Sequence, residues 1–361
     1  MSNTNIVCAI HFSNTSSKSC HPIITDVNDY SEDFNDEHNV ADGSINELIS
    51  GSLFNNNKNI LQICKDFSGL KKTYYFCRGC ESLERFYSGN EKPEDFDSTN
   101  KISGTFDNCI SAQYSFGYND KIHEIDLHFP KCYNFQGNYQ YSNCLTNATL
   151  DCPYAINMIA DFVGCENLSS ISFTAPLNFL ISGKQLFEGC SSLKSFNYPM
   201  KSLLSGVNMF KDCKLDIDSV ITILQNLPKI INNDGVRLND YSLSDESVNE
   251  NLQLIDTSNI WTNGLYVNED ESTDNTIMKN LHRNKAKSSF VYYIYSEDNE
   301  GQTTWVENTI HFTEFGIIDL GVDDTTKVMI DERIKHEYIN NSINSAINKG
   351  WKITYNDKPI K

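Results

Sequence analysis

Cys77 and Cys80 have the Cys-x-x-Cys spacing of half a zinc site or of a redox pair. A structural zinc ion needs four such ligands, and no second Cys-x-x-Cys or His-x-His follows at a finger's spacing. Cys80 is therefore expected in a packed core, with Cys77 as its neighbour. His336-Glu337 begins like a zinc-protease helix, but Asn340 stands where the second histidine should be. Asp323-Asp324 and Glu269-Asp270-Glu271 offer the oxygen ligands that hard cations take. Neither has the Asp-x-Asp-x-Asp-Gly loop of a dedicated calcium site, so both read as solvated acidic loops. No glycine-rich phosphate loop, nucleophile elbow or Ser/His/Asp set can be picked out. The expectation is a protein that is not an enzyme, with no catalytic residue, no metal and no cofactor.

The charge is uneven. The chain has 361 residues and a net charge of −19, and residues 1–50 hold eight acidic side chains against Lys18 alone. Residues 233–309 hold fourteen acidic against five basic, so these two stretches carry −16 of the total. The block between them is nearly neutral, which suits stacked units that would otherwise repel one another. A basic stripe for phosphates is missing, and this speaks against nucleic acid. No stretch near eighteen apolar residues predicts a membrane span. The N-terminus, MSNTNIVCAIHFSNTSSKSC, has no basic region or apolar run of the signal-peptide kind. Folding in a reducing cytoplasm is expected, with the twelve cysteines mostly free thiols buried as small hydrophobes.

What must position any functional group is a repeat. An aromatic residue three places before a cysteine recurs at Phe106/Cys109, Tyr141/Cys144, Phe162/Cys165, Phe187/Cys190 and Phe210/Cys213, with a looser copy at Phe76/Cys80. Apolar pairs follow at Leu83/Phe86, Leu168/Ile171 and Leu193/Phe196, each opening a short strand; Ile122/Ile125 fits the same slot after an insertion of about ten residues behind Cys109. Proline closes these strands at Pro130, Pro176 and Pro199. With the second residue of each pair as a marker, 63 to 86 is 23 residues, 125 to 171 is twice 23 and 171 to 196 is 25, within the leucine-rich-repeat range of about 20–29 per unit. The fold class is thus α/β or mainly β: a leucine-rich-repeat solenoid with short parallel strands and irregular return segments.

The runs GCENLSSISFTAP and GCSSLKSFNYP resemble the BspA-type leucine-rich repeats of bacteria, protists and the tailed phages of gut bacteria. The resemblance covers about residues 52–232. SINSAINKGWKITYN looks like the closing unit of such arrays in phage tail and virion proteins, a helix ending in Ala-x-x-Lys-Gly-Trp and then one strand. Gly350 sits where a left-handed helix cap belongs, and Trp351 is expected to cover the last open coil. DIDSVITILQNLP (216–228) predicts a helix capped by Asp216 or Asp218. About eighty residues then intervene before a closing strand at Thr309–Leu320, and the apolar runs flanking Glu300-Gly301 read as a β-hairpin beginning near 288. Four regions follow: an acidic segment 1–50, the solenoid 51–232, an acidic insertion 233–308 and a closing helix-plus-strand cap 309–361.

With Phe86, Ile125, Leu127, Ile171, Phe173, Phe196 and Tyr198 turned inward, alternation leaves Arg85, Tyr87, Glu124, Asp126, His128, Ser170, Ser172, Ser195 and Asn197 on an open ladder face. That face is the candidate binding surface. The resemblance implies a virion structural or adhesion protein of a tailed bacteriophage, made in the host cytoplasm. Its partners would be other virion proteins, further copies of itself or a host-surface receptor. A cellular leucine-rich-repeat adhesin or cytoplasmic scaffold is the other reading.

Overall fold

A computed structural model of the chain describes residues 8–12, most of 54–89, residue 98, and residues 100–230, 289–297, 303–311, 314 and 316–360. In chain order the first strands are β1 (Cys8–Phe12), β2 (Ile60–Lys65), β3 (Lys72–Tyr74), β4 (Arg85–Ser88), β5 (Lys101–Thr105) and β6 (Ser111–Gln113). Next come β7 (Glu124–His128), β8 (Asn134–Gln136), β9 (Asn147–Asp151), β10 (Asn157–Ile159), β11 (Ser170–Phe173) and β12 (Gly206–Leu215). Helix α1 (Ile217–Asn226), the strands β13 (Ser289–Glu297) and β14 (Thr303–His311), and β15 (Ile317–Val322) follow. Helices α2 (Asp324–Asp331) and α3 (Glu337–Asn348) and the strands β16 (Lys352–Tyr355) and β17 (Lys358–Pro359) complete the chain.

The described chain is mainly β, with few helices, and two of its sheets are ladders of parallel strands. The first has the order β1-β2-β4-β5-β7-β9-β11, parallel throughout except that β1 pairs antiparallel to β2. The second has the order β10-β8-β6-β3. Ile63 pairs with Phe86, Ile102 with Ile125, Ile125 with Ala148 and Ala148 with Ile171, each partner 23 residues on. We call one such step, a strand of the first ladder and the chain up to the next, a rung. Chemically equivalent side chains of successive rungs meet because the step is constant.

One rung breaks the rule. Phe86 pairs with Ile102, only 16 residues on. The chain between them is too short to visit the second ladder, so β3 pairs directly with β6 of the rung beyond, Thr73 against Ala112. The expected insertion behind Cys109 is therefore incorrect: Phe86 to Ile125 is one short rung and one full rung, with β5 as the strand between them. Ser88 mends the seam, since its buried hydroxyl accepts from Phe67 N at 3.1 Å and donates to Thr105 O at 2.7 Å.

The core runs along two corners. At one, Phe106 stacks on Phe129 with centroids 5.0 Å apart, and Cys109 and Cys132 close turns back to their carbonyls. At the other, Phe116, Tyr139, Phe162, Phe187 and Phe210 form a stacked column with spacings of 4.9–6.2 Å. There Cys165 Sγ donates to Tyr139 O, Cys190 Sγ to Phe162 O and Cys213 Sγ to Phe187 O, at 3.0–3.2 Å. The aromatic–cysteine repeat thus mixes two corners, with Phe106/Cys109 on the opposite one from Phe162/Cys165. Tyr141/Cys144 is in neither core column: Tyr141 is 43% exposed, and Tyr139 and Ser142 hold the buried positions.

The C-terminal part closes on this stack. Asp216 caps α1, accepting from Ser219 N at 2.8 Å, and Val220, Ile223 and Leu224 face the core. Leu193 and Phe196 are buried, but residues 193–199 form no strand; Phe196 N donates instead to Ser219 Oγ of α1 at 2.9 Å. A strand expected there is replaced by contact with the helix. β15 joins β12 in parallel, β16 joins β15 in parallel, and β17 turns back on β16. The single closing strand expected at Thr309–Leu320 is in fact two, β14 ending at His311 and β15 starting at Ile317. β13 and β14 pair antiparallel across the Glu300-Gly301 region. Gly350, with φ of 96°, ends α3, and Trp351 is buried with its Nε1 donating to Pro228 O at 2.7 Å.

Candidate binding face

Alternation along the first ladder turns one set of side chains out. Phe86, Ile125, Leu127, Ile171, Phe173 and Phe196 are buried, Tyr198 partly so. Between them Arg85, Tyr87, Glu124, Asp126, His128 and Ser172 are partly exposed and Ser170 is exposed. Ser195 and Asn197 are exposed beyond the last strand, bonded to each other at 3.0 Å.

The pairing inserts two strands that the sequence reading left out of this face. Lys101 of β5 stands opposite Glu124, and Asp151 of β9 opposite His128. Lys101 Nζ lies 2.9 Å from Glu124 Oε1 and 3.0 Å from Asp126 Oδ2. Partial burial pulls the Lys101 pKa down, but hydrogen bonds to Glu124 and Asp126 outweigh it and leave a net rise. His128 Nδ1 is 3.6 Å from Asp151 and its Nε2 3.8 Å from Asp126. The centre of the face is thus a cluster of Lys101, Glu124, Asp126, His128 and Asp151, grading into the small hydroxyl and amide groups of Asn147, Thr149, Ser170 and Ser172. Among the described residues the groups facing His128 are the carboxylates of Asp126 and Asp151. Ile102, the buried residue that would have revealed β5, has no repeat cysteine shortly before it, and Ala148 of β9 follows Cys144 but is too small to mark a period.

The remaining chemistry-bearing groups are buried. Asp161 is fully covered; Asn138 donates to its Oδ1 from N at 3.0 Å and from Nδ2 at 3.2 Å. Burial pushes its carboxyl up to about 8 against these donors. Asn138 in turn accepts from Ser115 N at 3.1 Å, so one polar residue per rung runs down the core. Burial pushes the Cys165 thiol up to about 12, and Cys77, Cys132, Cys152, Cys190 and Cys213 upward as well. Nine of the ten described cysteines are buried. The six thiols raised by burial stay protonated at neutral pH and are unreactive.

Cys77 N donates to Ser115 O as Phe116 N does to Asn138 O. Cys77 therefore occupies the aromatic column, while Cys80 donates its thiol to Phe54 O at 2.9 Å. Asp323 caps α2 through Thr326 N at 2.6 Å, and His336 precedes α3 without a side-chain cap. Glu269–Glu271 lie outside the described residues. Among the described residues no three His, Cys, Asp or Glu side chains converge as a metal site would, and no helix is long and apolar enough to cross a membrane. Set against family models, curated proteins and solved structures, the chain matches none of them.

Proposed function

We propose that the chain is a BspA-type leucine-rich-repeat solenoid, acting without catalysis as a structural or adhesion protein of a tailed-phage virion. The observation that carries the reading is the pair of parallel ladders whose strands step by 23 residues everywhere but at the one short rung. A stack of this kind holds a broad polar face in fixed register, which suits binding to another surface. The repeat class and the closing Ala-x-x-Lys-Gly-Trp unit favour a virion over other settings. In this reading residues 51–232 are the solenoid and 309–361 its closing cap. The partners are neighbouring virion proteins, further copies or a host-surface receptor, met through the face centred on Lys101 and Asp126.

The test is where the chain is found. Antibody against it should label purified, DNA-filled particles from the source culture, and particle digests should contain its peptides. Recovery only in the cell envelope or the cytosol would replace this reading with a cellular adhesin or scaffold.

A further inference from the structure

At the corner that follows the second ladder, tyrosines gather around one arginine. The Arg78 guanidinium lies 5.3 Å from the ring centroids of Tyr75 and Tyr114 and 4.6 Å from that of Tyr118. Tyr75 and Tyr114 stack at 5.2 Å, Tyr74 meets Tyr75 edge-on at 4.4 Å, and Tyr118 leans on Tyr141 at 5.1 Å. Gly117 has Arg78's place on the neighbouring rung, since Cys77 N and Gly79 N donate to the carbonyls of Ser115 and Gly117.

Four of these tyrosines hold the left-handed backbone, with φ of 53–60° at Tyr75, Tyr114, Tyr118 and Tyr141. Bulky residues seldom adopt it. Each run of tyrosines ends where a ring overlies the next rung: a Cβ on Gly137 would come within 2.6 Å of the Tyr114 ring, and one on Gly164 within 2.5 Å of the Tyr141 ring. Stacking accounts for the rings' packing but not for their exposure. Tyr74, Tyr118 and Tyr141 remain about 40% exposed. No carboxylate among the described residues pairs with Arg78, whose guanidinium meets the three tyrosine rings instead.

We infer that this patch is a docking site for the chain's own acidic segment, residues 13–53. That segment is tied at both ends to the first rung. β1 ends at Phe12 against β2, and the chain re-enters at Phe54, whose N donates to Phe76 O at 2.9 Å, followed by Asn56 N to Arg78 O at 2.7 Å. It carries eight acidic residues and one lysine, complementary to a guanidinium that meets no carboxylate among the described residues. Its length lets it span the patch, and the tether raises its local concentration enough for a weak contact to persist. Arg78 lies over the rings of Tyr75, Tyr114 and Tyr118, and Tyr75 and Tyr114 stack on each other, so the centre of the patch offers edges and hydroxyls rather than a free face. Edges and hydroxyls suit a peptide better than a sugar ring, which needs a free face. The inference stands on the patch itself and does not depend on a virion setting.

Phenylglyoxal modification of the full-length chain, read residue by residue by mass spectrometry, tests it. Arg85 on the ladder face serves as the reference. At about 0.01 M salt Arg78 should react slowly, and at about 1 M, where the screening length falls to about 3 Å, several-fold faster. A variant with the eight acidic residues of the segment changed to Asn or Gln should react fast at both salts. In Arg78→Gln, peptides from 13–53 should exchange amide hydrogens faster than in the parent chain. Equal Arg78 rates in all arms would show the patch to be open and overturn the proposal. Protection that grows with protein concentration would overturn it in favour of docking between copies.

Discussion

The middle of the stack and its C-terminal closure are held by opposite means. Between Lys101 and Phe173 contacts recur rung by rung: Thr146 N donates to His123 O, and Ser169 N to Thr146 O, both at 2.9 Å. At the closure each contact is made once, over a long separation. Trp351 reaches Pro228, Lys349 Nζ reaches the carbonyls of Gln225 and Leu227 at 2.9 Å, and Gln225 reaches Ser342 at 3.1 Å. The lesson is about redundancy: a fault in the middle is shared with equivalent neighbours, whereas a fault at the closure has no second copy to absorb it.

Among the substitutions, Trp351→Ala should therefore cost the most stability. It removes a buried indole and leaves Pro228 O without its donor, a loss of about 3–5 kcal/mol. Hydrogen exchange should rise first in α1 and β12 and last in β7 and β9. A small effect spread evenly over both regions would erase the contrast.

Asp161 gives the middle its own signature. Its folded pKa, about 8, is above the ordinary value of about 3.9, so the folded chain binds the extra proton. The associated stability is fully present below about pH 4 and is lost as pH rises through about 8. Unfolding free energies from denaturant titration should fall across that window, by an amount on the order of 5 kcal/mol in all. Asp161→Asn should flatten the curve and be the more stable protein near pH 9. A parent curve that is level from pH 4 to 8 would mean the carboxyl is not held protonated.

Ser88→Ala should cost less, about 1–3 kcal/mol, by orphaning Phe67 N and Thr105 O at the seam. Exchange should rise locally at those two rungs; an effect reaching the closure would show that the short rung is not an independent joint.

Much of the middle, and the two helix ends of the closure, are legible in the residues. The 23-residue step, the inward Phe86, Ile125 and Ile171, the α1 cap at Asp216 and the Gly350-Trp351 ending all follow from pattern and local chemistry. Assignment of each cysteine to its corner does not, because Phe106-x-x-Cys109 and Phe162-x-x-Cys165 are locally the same motif on opposite sides of the core. Tyr141/Cys144 misleads for the same reason, with Tyr139 two places earlier carrying the stack. On the open face, Lys101 and Asp151 escape notice because only strand pairing brings them to Glu124 and His128. The tyrosine patch is likewise hidden, as Tyr75, Tyr114 and Tyr118 meet only through the rung that bypasses the second ladder.

The central claim is that the full rungs are interchangeable units, and removing one tests it most directly. Deleting residues 124–146 joins His123 to Asn147, which takes the register of Glu124. Phe116 would then stack on Phe162, and Ser115 N would meet Asp161. The account predicts a folded chain with one cooperative thermal transition and the same strand signature per residue, whereas deleting 12 of those residues, about half a step, should abolish folding. If the two deletions behave alike, whether both fold or both fail, the rungs are not equivalent units and the account is wrong.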